Sequence, residues 1–225
     1  RAIEILREDG VDRRLGIRID ADADVLLLTQ IELTPHEAEE GLATAPLERL
    51  ADLLDKYGVL ESTEIVLPSD HRRAAAFVEL REAVPAGVNR RVGLAHAADA
   101  RVHKTAADMI VPFARFAEMM RECRALAGAR QLDLAVWGHI SDGNVHPNVI
   151  PRDYRDVERG REVILELARR VISMGGSPLA EHGVGRNRVK QQLLEMLYGA
   201  RGVDAMKQVK LSLDPEWKLA PGLLF

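Results

Sequence analysis

The sequence predicts an α+β fold: a ferredoxin-like α/β sandwich with a largely antiparallel sheet covered by helices, plus a C-terminal helical segment. Three observations carry this. An apolar run at 24–33, a helical stripe at 34–57 and a second apolar run at 61–67 read as strand, helix, strand, one half of such a sandwich. Two further apolar runs, 132–137 and 145–150, flank Asp142-Gly143, the strongest short-range hairpin signal. Beyond 150 the periodicity is helical, so 1–150 reads as the sheet region and 151–225 as the helical segment.

Each element has its local reason. Thr34-Pro35-His36-Glu37 opens a helix with Thr as N-cap, Pro at the first position and Glu at the third. Pro46 should kink or break it before Leu47, Leu50, Leu53 and Leu54 resume the stripe, and Gly58 should stop it. Ser69 is expected to cap the next helix, which turns Phe77, Leu80 and Val84 inward; residues 85–100 show little periodicity. Phe113, Phe116, Ala117 and Met120 suggest a further helical face. From Tyr154 to Met174, Val157, Ile164, Leu167, Ala168 and Val171 share one face, and Gly175-Gly176 ends the helix. A helix with Val189, Leu193, Met196 and Leu197 follows, then a final one with Val203, Met206, Lys210 and Leu213.

Composition narrows the function classes. At 225 residues, with 47% hydrophobic and 29% charged residues, the chain has enough material for a buried core. A net charge of −4 without a basic block argues against nucleic acid as a partner. Runs such as Val25-Leu26-Leu27-Leu28 are far too short to span a bilayer. The single cysteine, Cys123, sits in a helical pattern, which suggests a packed side chain and a reducing, cytoplasmic compartment. The chain opens with Arg1 inside a helical pattern and shows no signal peptide, so it reads as a piece of a longer protein.

The hairpin carries the chemistry. If Asp142 and Gly143 are the central residues of a type I′ turn, counting outward pairs Ser141 with Asn144, Ile140 with Val145 and His139 with His146. Trp137 then faces Asn148 on the same side of the sheet. Directly opposed residues have Cβ atoms about 4.5–5.5 Å apart. Two imidazoles held so can share a metal ion, with an amide beside them. Glu181-His182, in the glycine-rich stretch 181–185, offers a second pair of donors, because divalent transition metals are commonly held by His nitrogen and carboxylate oxygen together.

These motifs also carry a resemblance. Gly-His-x-x-Asp-Gly-Asn-x-His-x-Asn at 138–148, Glu-His-Gly-x-Gly at 181–185, Asp214-Pro215 and Pro221-Gly222 resemble the C-terminal half of FAD-linked oxidases of the vanillyl-alcohol-oxidase type. Members include D-lactate dehydrogenase, the flavin subunit of glycolate oxidase and D-2-hydroxyglutarate dehydrogenase. The resemblance implies that 1–150 is a substrate-binding (cap) region and that a FAD-binding domain precedes this chain. It implies a divalent metal, zinc or manganese, on His139, His146 and Glu181, with His182 as general base. Arg81, Lys104 and Asn148 would hold the substrate, and Asn144 would meet the flavin. Lys104 lies in a stretch that resembles the family's strand bearing a lysine, then an aspartate (Asp108), then an apolar-Pro entry to a helix. Two positions depart from the family: Pro85 replaces a hydroxyl residue of some members, and Ala220 replaces the asparagine of Asn-Pro-Gly.

The reading that follows is oxidation of a D-2-hydroxy acid, such as lactate, glycolate or 2-hydroxyglutarate, to the 2-oxo acid by hydride transfer to flavin. A separate electron acceptor would reoxidise the flavin. This piece alone should be inactive, and the face that meets flavin should be open and prone to self-association as a homo-oligomer. Two other readings stay open on the residues alone. One is a metal-dependent hydrolase on the same His-His-Glu site; the other is a non-catalytic binding or interface module.

Overall fold

The computed structural model describes residues 1–32, 34, 36, 44–67 and 69–225. The fold is α+β, with a small open antiparallel sheet. It forms two compact units, 3–87 and 88–225, the second joined by Arg1 and Ala2. No helix of the described residues is long and apolar enough to cross a membrane.

The unit 3–87 holds α1 (Ala2–Glu8), α2 (Val11–Leu15), α3 (Thr44–Lys56) and the start of α4 (His71–Ala98). Pro46 falls in the first turn of α3, where a missing N–H costs no intrahelical bond. Gly58, at φ 67°, ends α3, and the Gly58 and Val59 amides donate to the Asp55 and Leu54 carbonyls. The helix start expected at 34–37 involves Pro35 and Glu37, which lie outside the described residues.

Two expected strands are not formed. Residues 24–32 take no regular structure, and 60–67 contain only the short 3₁₀ turn Leu60–Ser62. Apolar side chains favour a strand only where neighbours pack on them and a ladder takes up the backbone groups. Val25 and Leu27 are instead both 65% exposed. Arg73 gathers this segment: its guanidinium donates to the Leu15 carbonyl at 2.8 Å, the Gly16 carbonyl at 3.0 Å and Glu64 Oε2 at 2.7 Å.

Helix α4 differs from its expectation at both ends. Asp70, not Ser69, caps it, accepting the Arg73 amide at 2.9 Å. The helix also passes through Pro85 and ends at Ala98. The signal for this continuation is a spacing of four: Leu80, Val84, Val88 and Val92 are all buried.

The unit 88–225 contains the sheet. Its elements are β1 (Thr105–Ala106), β2 (Met109–Ile110), α5 (Phe116–Ala129), β3 (Asp133–His139), β4 (Asn144–Ile150), α6 (Tyr154–Ser173) and α7 (Arg188–Leu213). β4 is central, with β3 along one edge and β1 then β2 along the other, all antiparallel. The buried face of α5 is Met119, Cys123, Leu126 and Ala127; of the expected set, Phe116 and Met120 are partly buried against the core, and Phe113 is 66% exposed. Cys123 is a packed side chain, its thiol pKa pushed up to about 12 by burial. Asp153 caps α6 and accepts the Asp156 amide, and Gly160 lets the helix approach the sheet, since a Cβ there would lie 3.1 Å from Val149. Gly199, at φ 67° and ψ 170°, breaks α7 where the sequence separates its last two helices.

Period two sorts the sheet into two faces. Ala107, Met109, Val145 and Val149 face the core that α5, α6 and α7 complete with Met119, Cys123, Ile164, Leu167 and Leu193. The alternate set includes Asp108, His139, Asn144, His146 and Asn148. The polar residues are therefore gathered on the face away from the helices.

Candidate metal centre

The hairpin differs from its expected register by two residues. His139 pairs with Asn144, Gly138 with Val145, Trp137 with His146 and Ala135 with Asn148. The loop has four residues, not two: Ile140–Asp142 form a 3₁₀ turn, and only Gly143 takes a positive φ, 70°. Asp142 keeps a right-handed backbone, so the type I′ turn is replaced by a tight helical turn closed by a left-handed glycine. A shift of two residues preserves the faces, so His139 and His146 remain on one side as diagonal neighbours. Their ring centroids are 5.8 Å apart, edge to face. Gly138 is required at its position, because a Cβ would lie 2.3 Å from the Asn144 carbonyl oxygen.

The loop that follows α6 closes over the same face. Gly176 lets it pass the edge of β2, since a Cβ there would lie 2.2 Å from the Ile110 oxygen, and Ser177 exchanges backbone hydrogen bonds with Ile110. Leu179 bridges Asp108 in parallel, and the Ala180 amide donates to the Asp108 carbonyl at 3.1 Å. Glu181 and His182 are thereby brought against β4.

Three imidazoles then converge on one carboxylate oxygen. Glu181 Oε1 lies 3.1 Å from His146 Nε2, 3.2 Å from His182 Nε2 and 3.7 Å from His139 Nε2. His182 stacks on His146 with centroids 4.5 Å apart. Donors bound to one tetrahedral ion at about 2.0–2.2 Å stand roughly 3.3–3.6 Å from each other. The mixed nitrogen-oxygen donor set suits a divalent transition metal. The distances of 3.1–3.7 Å to Glu181 Oε1 bracket that spacing, although His139 lies outside the group of ligand atoms that are all within 4.8 Å of one another. Side chains of His139, Glu181 and His182 are about half exposed, whereas His146 is 7% exposed, so the centre is anchored at His146 and opens outward. Burial, then the neighbouring His182, pushes the His146 pKa down, which favours the neutral, ligand-competent imidazole.

Asp108 belongs to this centre, although hairpin counting alone does not reach it. Asp108, His146, Glu181 and His182 form a group whose ligand atoms lie within 4.8 Å of one another. The register that pairs Thr105 with Val149 and Met109 with Val145 carries Asp108 opposite His146. A charged residue amid Ala106-Ala107 and Met109-Ile110-Val111 was the signal available in the sequence. Asp108 is 1% exposed, and its Oδ2 accepts the Glu181 amide at 2.7 Å and the His182 amide at 2.6 Å. Burial opposes its charge, but those two N–H groups and the nearby imidazoles outweigh it and hold the carboxyl below its usual range.

The other expected residues fall around or away from this cluster. Lys104 donates to Asn89 Oδ1 at 3.1 Å and lies 5.9 Å from the Trp137 ring centroid, beside the residue opposite His146; burial lowers its pKa. Asn148 is buried and donates to the His146 carbonyl at 2.6 Å. Asn144 is buried opposite His139, and among the described residues its Oδ1 has no hydrogen-bond partner. Arg81 lies in the unit 3–87, half exposed and paired with Glu82 at 2.6 Å. At the C-terminal end, Asp214 accepts the Lys218 and Leu219 amides, and the Leu224 amide donates to Gly185.

An antiparallel sheet with one face on α5, α6 and α7 and a His-carboxylate cluster on the other defines an α+β domain with donor atoms of the kind that hold a divalent metal. The chain belongs to the family described as FAD linked oxidases, C-terminal domain, whose pattern it matches over residues 4–224. It is 34% identical over 120 residues to the glycolate oxidase subunit GlcD of Bacillus subtilis, a match covering 52% of this chain and 25% of that protein. It is 38% identical over 119 residues to a D-lactate dehydrogenase of Archaeoglobus fulgidus, covering 51% and 25%. A third relative, D-lactate dehydrogenase [cytochrome] 1, mitochondrial, of Saccharomyces cerevisiae, is 31% identical over 118 residues, covering 52% and 20%. The matched part thus spans a quarter or less of each of these relatives.

Proposed function

We propose that this chain is the substrate-binding part of an FAD-dependent oxidoreductase that converts a D-2-hydroxy acid to its 2-oxo acid. The observation that supports this most is the convergence of His139, His146 and His182 on Glu181 Oε1, on one sheet face of a chain in the FAD-linked oxidase family. His139, His146 and Glu181 hold a divalent ion, zinc or manganese. When bound, that ion polarises the hydroxyl and carboxylate oxygens of the substrate. His182, half exposed beside them, accepts the hydroxyl proton at Nε2 as the general base. Lys104 and Arg81 neutralise the substrate carboxylate, Arg81 through its two-pronged fork. Asn148 holds the His146 strand and lies beside the substrate, and Asn144 faces the flavin side with its unpartnered amide oxygen. Flavin, when bound, would supply the acceptor for the C2 hydride, and a separate electron acceptor would reoxidise it. A cytoplasmic location fits the single, buried Cys123.

The test uses the intact flavin-containing protein. Anaerobic addition of D-lactate or D-2-hydroxyglutarate should bleach the flavin absorption band, and the L-enantiomers should not. A band unchanged by any D-2-hydroxy acid would remove this reading.

A further inference from the structure

We infer that Asp108 is the positioning residue of the metal centre, orienting His146 and holding the Glu181–His182 loop without itself binding the ion. This rests on the proposed metal site. Asp108 lies in one cluster with His146, Glu181 and His182, which leaves open at first whether it is a ligand. The two ends of the His146 ring decide it. Nε2 faces Glu181 Oε1 at 3.1 Å, and Nδ1 faces Asp108 Oδ1 at 3.4 Å. One imidazole presents a single nitrogen to a given ion. An ion seated on Nε2 with Glu181 therefore leaves Asp108 on the far side of the ring.

Both atoms of that far contact are buried, and among the described residues neither has a hydrogen-bond partner. Unpaired buried polar atoms are costly, and each is the natural partner of the other. An ionised carboxylate can only accept, so it fixes the proton of neutral His146 on Nδ1 and leaves the Nε2 lone pair for the metal. The other Asp108 oxygen accepts the Glu181 and His182 amides, so the same side chain sets where the third ligand and the base stand. One carboxylate thereby aligns three functional side chains from a strand and a loop.

Asp108→Asn separates orientation from loop holding. Asparagine can keep its oxygen on the two amides, but its NH₂ then points at His146 Nδ1. Nδ1 must accept, and the proton moves to Nε2, where it blocks the metal. Two readouts are taken on the protein without substrate: zinc affinity by calorimetry with Zn²⁺ alone, and the His146 tautomer by ¹⁵N NMR of the metal-free form. We expect Nδ1–H in the wild type, Nε2–H in Asp108→Asn, and zinc affinity lower by about 10–100-fold. A wild-type His146 protonated on Nε2 overturns the inference whether or not the variant folds. A folded variant that binds zinc as tightly as wild type overturns it alone. A wild type that takes up no zinc overturns the metal reading, and this inference with it.

Discussion

His146 and Glu181 stand 3.1 Å apart, Nε2 to Oε1, although one lies in the central strand and the other in a loop beyond the whole of α6. The contact depends on the edge of β2, which Ser177 and Leu179 follow backward until the chain turns at Glu181. Glu181→Gln keeps the size of the side chain and removes its charge. Zinc affinity, measured by calorimetry, should fall by at least about tenfold, with the melting temperature of the metal-free chain little changed. Undiminished affinity would place the ion elsewhere.

Two glycine substitutions should move stability in opposite directions. Gly138→Ala drives a methyl into the Asn144 carbonyl and Val145 Cα, at 2.3 and 2.7 Å, and should cost about 1–3 kcal/mol. Gly128→Ala, inside α5 with nothing within 4 Å, should gain about 0.5–1 kcal/mol. Denaturant unfolding of both variants checks the pair.

Asp156 is 1% exposed; its carboxylate accepts from Arg152 N and Nε and from the Arg159 guanidinium, while its own amide donates to Asp153 Oδ1. Burial opposes its charge, but Arg152 and Arg159 hold its carboxyl below the ordinary 3.8. A depressed folded-state pKa means that its stabilisation is complete above pH 3.8 and is lost as pH falls through the lower value. Asp156→Asn should therefore cost about 1–3 kcal/mol at about pH 7, with the gap to wild type closing in more acidic solution. A gap that stays constant down to acid would assign the loss to packing rather than charge.

Substrate anchoring is tested by Lys104→Met and Arg81→Lys in the flavin-containing protein. Loss of a charge-assisted hydrogen bond is worth about 1.5–3 kcal/mol, so Lys104→Met should raise KM for a hydroxy acid roughly tenfold to a hundredfold. Arg81→Lys should raise KM by less and leave flavin binding alone, because lysine keeps the charge and loses the fork. Steady-state kinetics that leave KM unmoved would send the anchoring role to another cation.

The legible part of this molecule is what local chemistry fixes. Asp142-Gly143 marked the hairpin, and because the true register differs by two residues, the shared face of His139 and His146 survived an incorrect turn type. The helix ends at Gly58 and Gly175 were visible because a positive φ is a local property. Asp70 and Ser69 were not distinguishable as caps, since both offer an oxygen and only the geometry chooses. The run at 24–33 looked like a strand because side-chain character is local, while a ladder needs a partner that the run does not contain. Asp108 was missed as a site residue for the same reason. Its role is set by amides at 181 and 182 and by a ring on β4, none of them near it in sequence.

The most direct measurement of the proposed chemistry is turnover of a D-2-hydroxy acid by the flavin-containing protein, with an artificial electron acceptor, before and after chelation. Turnover should vanish when the divalent ion is stripped, return on adding manganese or zinc, and stay absent in a His182→Ala variant that still binds the ion. Full activity in the stripped protein, or in His182→Ala, would contradict the proposed roles of His139, His146, Glu181 and His182.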